Sequence, residues 1–197
     1  MSYDTMSGVA VAVLASGGSS RLGHPKQLVV YEGDTLIRSV IGKVSALGCG
    51  RVGVVLGAHI AEILPELDEF DVSLIVNDDW RSGLGSSLRT AVQWAMTGRC
   101  EALLVVLVDQ VDVTTRHLSE LISCWQAGRT NVGSAYDGIV GVPAIFDAKS
   151  FGQILQLNNG DIGARFLLRQ TPAQSVACPA AARDVDTQAD VDRLSGA

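Results

Sequence analysis

The chain has 197 residues, is 47% hydrophobic and carries a formal net charge of −6. That length suffices for one independent core, a single domain over residues 1–197, and the acidic balance excludes a general nucleic-acid surface, which needs a basic face. No apolar run reaches the roughly 18–20 residues of a membrane span, and Cys49, Cys100, Cys124 and Cys178 form no Cys-x-x-Cys pair, so neither a membrane partner nor a zinc or disulfide framework is expected; buried free thiols in a cytoplasmic protein are.

The first element is the apolar run over residues 8–15. Asp4 is the one charge before it, so it lacks the basic n-region of a signal peptide and reads as a core strand. It runs into Ala15-Ser16-Gly17-Gly18-Ser19-Ser20, and the cations Arg21 and Lys26 follow. Small residues let a ligand approach the backbone, and the N–H groups of such a loop cradle anions. Two nearby cations supply countercharge, so the segment points to a polyphosphate nucleotide. It is neither a Gly-Lys-Ser/Thr phosphate loop nor Gly-x-Gly-x-x-Gly, which disfavours a dinucleotide oxidoreductase. The plain alternative is a surface turn.

Next come a helix over 35–47, a strand over 51–56, a helix over 60–67 and a strand over 72–76. Residues 77–89 read Asn-Asp-Asp-Trp-Arg-Ser-Gly-Leu-Gly-Ser-Ser-Leu-Arg. A loop with two glycines there opens a helix over 86–97, in which Leu88, Ala91, Val92, Ala95 and Met96 share one face. Helix N-termini favour anions and polar ligand groups, while Ser86 or Ser87 could instead cap the helix. Trp80 fits either the core or a pocket wall.

The most apolar run, 102–108, ends in Asp109-Gln110. A carboxylate at a strand end suits Mg²⁺, which takes oxygen ligands and bridges substrate phosphates; capping by Asp112 and Thr114 is the alternative use of that turn. A helix over 114–126 and strands over 131–134 and 140–146 follow, the last holding Gly141-Val142-Pro143. Residues 158–165 read Asn-Asn-Gly-Asp-Ile-Gly-Ala-Arg, where Asp161 suits a helix cap and Arg165 the pocket side. Asp184-Val185-Asp186-Thr187 precedes a last helix over 187–194; Asp186 is the second carboxylate that a metal at Asp109 would want. Alternating strands and helices with continuous apolar strands imply an α/β fold with a mostly parallel sheet covered on both faces. Ligands then sit beyond the carboxyl ends of the strands, at loops 15–26, 57–59, 77–87 and 109–113.

These segments, in this order, resemble the MobA-like nucleotidyltransferases that act on molybdenum cofactor, and within them the cytidylyltransferase branch. The family pattern Leu-Ala-(Ala/Gly)-Gly-x-Ser-x-Arg-Met-Gly-x-x-Lys is met by residues 14–26, Asn-x-x-Trp-x-x-Gly-x-x-x-Ser-Leu by 77–88, and Gly-Asp-x-Gly-Ala-Arg by 160–165. Ser16 and Leu22 depart from it, as does Val111 after Asp109-Gln110, where the family has proline, and Ser16 stands where the cytidine and guanosine branches differ. The resemblance implies a single-domain Rossmann-like three-layer sandwich of the nucleotide-diphospho-sugar transferase type. It also implies Mg²⁺-dependent transfer, with Mn²⁺ as the alternative ion, of a nucleoside monophosphate from an NTP to molybdopterin or molybdenum cofactor. CTP is favoured over GTP. Leu14, Ala15, Ser16, Gly17, Gly18, Ser19, Gly83 and Ser87 would hold the nucleotide, Arg21 and Lys26 the triphosphate, Asp109 and Asp186 the metal, and Asp161 and Arg165 the acceptor. Transient contact with a molybdoenzyme or its chaperone would follow. A sugar phosphate acceptor, or a catalytically idle carrier of nucleotide or cofactor, are the other readings.

Overall fold

The structure is a computed structural model that describes residues 8–156, 168 and 174–195. Its strands are β1 (Val9–Leu14), β2 (Val30–Tyr31), β3 (Asp34–Thr35), β4 (Arg51–Leu56), β5 (Ser73–Val76), β6 (Ala102–Leu107), β7 (Val132–Tyr136), β8 (Ile139–Asp147) and β9 (Gln174–Ala177). Its helices are α1 (Leu36–Ser45), α2 (Ile60–Ile63), α3 (Leu84–Thr97), α4 (Thr115–Gly128), α5 (Phe151–Leu155) and α6 (Gln188–Ser195).

Seven strands form one sheet in the order β5-β4-β1-β6-β8-β7-β9, with β8 antiparallel to both neighbours. The parallel pairs β5–β4, β4–β1, β1–β6 and β7–β9 need crossovers, and the helices that make them cover both faces. β1 shows why the sheet is central. Val9, Val11 and Val13 face a core shared with α1 and α4, while Ala10, Ala12 and Leu14 face one shared with α3 and α5. A strand with no exposed side requires a continuous apolar run. Ile37, Ile41 and Leu118 on one side and Leu88 and Val92 on the other are at most 1% exposed, each contributing about 2 kcal/mol by burial. The expected three-layer α/β sandwich is therefore present.

Element boundaries follow local chemistry. Thr35 caps α1 by accepting from the Arg38 N–H, and Thr114 caps α4 by accepting from the His117 N–H, so Thr114, not Asp112, caps α4. The helix expected over 60–67 is α-helical through Ile63 and tightens to a 3-10 turn over Leu64–Leu67, where Pro65 has no N–H to give. β7 and β8 join through Asp137-Gly138, both at positive φ, the two-residue turn that matches strand twist. The cysteines are free, Cys100 and Cys178 buried and Cys49 and Cys124 half-buried. Among the described residues, no helix is long and apolar enough to cross a membrane.

Candidate active site

The carboxyl ends of β1 and β6 and the segment that follows β5 open on one cavity of about 630 Å³, which the loop 57–59 after β4 does not line. Its first wall is the loop after β1. The carbonyl oxygens of Ala15 and Gly17 accept from Gln27 Nε2 at 2.7 and 3.1 Å, and that of Ser16 accepts from the Ala58 N–H at 3.0 Å. His59 Nε2 lies 3.4 Å from the Gly18 oxygen, and the Ser19 oxygen takes the N–H groups of Leu22 and Gly23, both at 3.0 Å. Five successive carbonyls are thus engaged within the protein. Among the described residues, nothing accepts from the N–H groups of Ser16, Gly17 and Gly18.

The second wall is the segment 77–87. Trp80 lines the cavity and lies against the β1 loop: a Cβ on Gly57 would stand 2.6 Å from Trp80, and one on Gly18 would stand 2.9 Å from its ring. Gly18 is therefore small for the sake of the indole. α3 begins at Leu84 after Gly83 with no side-chain cap, so Ser86 and Ser87 lie inside its first turn rather than before it. Both are buried and accept from Asn77 Nδ2, at 2.9 and 3.0 Å, and Ser87 Oγ also meets Ser16 Oγ at 2.6 Å.

The charged group lies where β6 ends. Lys26 Nζ donates to Asp109 Oδ2 at 2.7 Å and to Asp186 Oδ1, and Arg21 reaches Asp186 Oδ2 at 3.3 Å. Burial disfavours the Lys26 ammonium, but the charge and hydrogen bond of Asp109, joined by those of Asp186, outweigh it and hold its pKa above the usual lysine value. Arg21, with its side chain 76% exposed, stands at the mouth, whereas Lys26 is 13% exposed. Asp186 is not spent on capping. Asp190 accepts from the Thr187 N–H and Thr187 accepts from the Asp190 N–H, a reciprocal cap on α6 that leaves Asp186 to the cations. The Val185 N–H, bonded to the Asp109 carbonyl at 3.2 Å, brings the two carboxylates together.

The remaining wall comes from β7 and β8. Tyr136 and Val142 line it, and Gln110 is locked there by donating to the Val142 and Ala181 carbonyls at 3.1 and 2.8 Å. Asp109 Oδ1, Gln27 Oε1 and Gln110 Oε1 are buried without a hydrogen-bond partner among the described residues.

Among the described residues there is no group of three or more side chains able to hold a metal. Two carboxylates and an unpartnered Asp109 oxygen nonetheless fit a hard divalent cation, which takes one or two carboxylates and completes its shell with water and substrate phosphates. Of the residues singled out by sequence, Leu14, Ala15, Ser16, Gly17, Arg21, Lys26, Gly83, Ser87, Asp109 and Asp186 line one cavity. Gly18 and Ser19 stand behind it, Gly18 under Trp80 and Ser19 at φ 50° with its Oγ accepting from the Lys26 N–H at 3.0 Å. Asp161 and Arg165 lie outside the described residues. Sequence reasoning assigned no part to Gln27, Gln110 or Tyr136. The signal for the glutamines was their place beside Lys26 and Asp109.

The family described as the MobA-like NTP transferase domain matches residues 11–176. Nicotine blue oxidoreductase of Paenarthrobacter nicotinovorans is 32% identical over 94% of this chain and 96% of its own length. The crystal structure of an Rv0371c homologue from Mycobacterium sp. strain JC1 superposes with a TM-score of 0.81 at 30% identity, covering 95% of this chain and 94% of that one. The manganese complex of Rv0371c from Mycobacterium tuberculosis H37Rv gives 0.76 at 26% identity, over 94% and 97% of the two chains.

Proposed function

Because this chain belongs to the MobA-like NTP transferase family, and is thus a nucleotidyltransferase, we propose that it moves CMP from CTP to the phosphate of molybdopterin or molybdenum cofactor and releases pyrophosphate. The observation that carries the reading is the cluster of Lys26, Asp109 and Asp186 at the end of a loop whose carbonyls are held within the protein. An acceptor phosphate oxygen attacks the α-phosphorus, a P–O bond forms, and the bond to the bridging oxygen breaks as pyrophosphate leaves. The nucleophile already carries charge, so the task is to bring two polyanions together and stabilise the reaction centre. Lys26 and Arg21 offset the triphosphate. The free N–H groups of the β1 loop orient it, and Ser16, Ser87 and Gly83 face the base and ribose. Asp109 and Asp186 would hold Mg²⁺ or Mn²⁺, which when bound supplies Lewis-acid charge at the phosphates. Tyr136, Gln110 and Val142 present the acceptor side, joined by Asp161 and Arg165.

The test crosses CTP, GTP, ATP and UTP with molybdopterin, molybdenum cofactor and sugar phosphates, in Mg²⁺ or Mn²⁺, and reads pyrophosphate. Release with CTP and the pterin supports the assignment; release with GTP or a sugar phosphate reassigns base or acceptor; binding without release under every pairing favours a carrier. A second reading, an oxidoreductase, draws on the name of the 32% identical relative. It predicts turnover of nicotine blue with no pyrophosphate formed, and the same purified protein decides between the two.

A further inference from the structure

Gln27 lies next to Lys26, is 1% exposed, and uses both hydrogens of its side-chain amide on the carbonyls of Ala15 and Gly17. Those two acceptors fix the amide orientation, since only the NH₂ side can face carbonyl oxygens. Among the described residues Gln27 Oε1 has no partner, so there the side chain is held by its donors alone. A buried amide left half-satisfied is costly, and a nonpolar residue of similar length would spare that cost but leave the Ala15 and Gly17 carbonyls without these donors. Retaining glutamine therefore calls for a use of the two donors.

The planar trans peptide supplies that use. Its N–H points opposite to its C=O, so capturing the Ala15 and Gly17 oxygens turns the N–H groups of Ser16 and Gly18 to the far side, where no described residue accepts from them. We propose that Gln27 is a positioning residue for the nucleotide: by holding the Ala15 and Gly17 carbonyls it presents the Ser16 and Gly18 N–H groups as donors to the polyphosphate. The inference rests on the nucleotidyl-transfer reading and deepens it. Packing alone predicts that methionine, close in length and without donors, serves equally well in this slot. Positioning predicts that it does not.

The test measures tripolyphosphate and CTP binding by calorimetry for the wild type and Gln27→Met, with thermal midpoints as the fold control. Wild-type binding of both ligands is expected, with a loss of about tenfold or more in Gln27→Met from two lost hydrogen bonds, a rise in nucleotide KM with little change in kcat, and an unaltered KM for the acceptor. Equal affinity in a folded Gln27→Met overturns the positioning role while leaving the transferase reading intact. A wild type that binds no nucleotide overturns both. Should the variant fail to fold, amide NMR on the wild type decides: tripolyphosphate is expected to shift the Ser16 and Gly18 amide protons strongly, and unshifted amides overturn the proposal.

Discussion

The two halves of the cavity are built differently. On the side of the β1 loop, proposed for the nucleotide, Gln27 holds carbonyls 12 and 10 residues away, and Ser19 holds the Lys26 N–H across 7 residues. On the side walled by β7 and β8, proposed for the acceptor, Gln110 bridges to Val142 and Ala181, 32 and 71 residues distant, and between the two halves Asp186 reaches Lys26 across 160. The first wall is bonded largely within itself, with Ala58, Trp80 and Ser87 as its distant neighbours. The second exists only after β8 and the terminal segment dock. Loss of a charge shared by both walls should therefore damage turnover most, and changes confined to one wall should separate nucleotide from acceptor.

The largest effect is expected from Asp109→Ala, a loss of about a hundredfold or more in turnover, read as pyrophosphate release at a normal thermal midpoint. Full turnover in that variant would remove Asp109 from the metal and from the centre of the cavity. Lys26→Met is expected to lower turnover comparably while strengthening Mn²⁺ binding in the absence of nucleotide, because the ammonium that lies between Asp109 and Asp186 is gone. Titration of Mn²⁺ followed by electron paramagnetic resonance measures this, and weaker binding would show that the lysine does not compete for the carboxylates.

Arg21→Ala should raise the nucleotide KM by about tenfold, less than the buried cation, because an exposed charge is screened by solvent. Ser16→Ala removes one hydroxyl from the Ser16–Ser87 pair and should change the ratio of CTP to GTP use by several-fold, a net effect of about 1 kcal/mol, with acceptor KM unmoved. A shift in acceptor KM instead would contradict the division between the walls.

The smallest effect concerns the acceptor wall's support. His117 Nε2 donates to Ser134 Oγ at 2.7 Å, and Ser134 Oγ donates to the Pro143 carbonyl at 2.6 Å. Burial holds the His117 imidazole below its ordinary pKa. The folded state then binds fewer protons than the unfolded one, so this stability is present above the unfolded pKa of about 6.5 and is lost as pH falls through the folded value. Thermal midpoints between pH 7 and 5 should fall more steeply in the wild type than in His117→Gln, which keeps a donor for Ser134. Parallel slopes would show that another group carries the pH dependence.

Legibility followed the same division. β4 was expected over the residues it occupies, and β1 and β6 to within a residue at each end, because strands buried on both faces cannot tolerate polar residues. The pairing of β2 with β3 and the strand β9 went unread: the first is two residues long on each side, and Gln174–Ala177 is mostly exposed, so neither imposes a hydrophobic pattern. The turn Asp137-Gly138 was readable in principle as a hairpin signal between apolar strands. The cap of α6 was readable too, since Thr187-Gln188-Ala189-Asp190 has the spacing of a reciprocal capping box, whereas the pairing of Asp186 with Lys26 was not.

Sequence by itself determined the class of fold, the small-residue loop after β1 and the cations beside it, because apolar periodicity, small residues and charge are properties of neighbouring positions. Only the tertiary structure decided that Lys26 lies between Asp109 and Asp186, that Gly18 is small for Trp80, and that Gln27 holds the Ala15 and Gly17 carbonyls. Each of those depends on which distant segments meet at the ends of the strands, and a hydrogen bond or ion pair a few ångströms long is specified by that meeting, not by spacing along the chain.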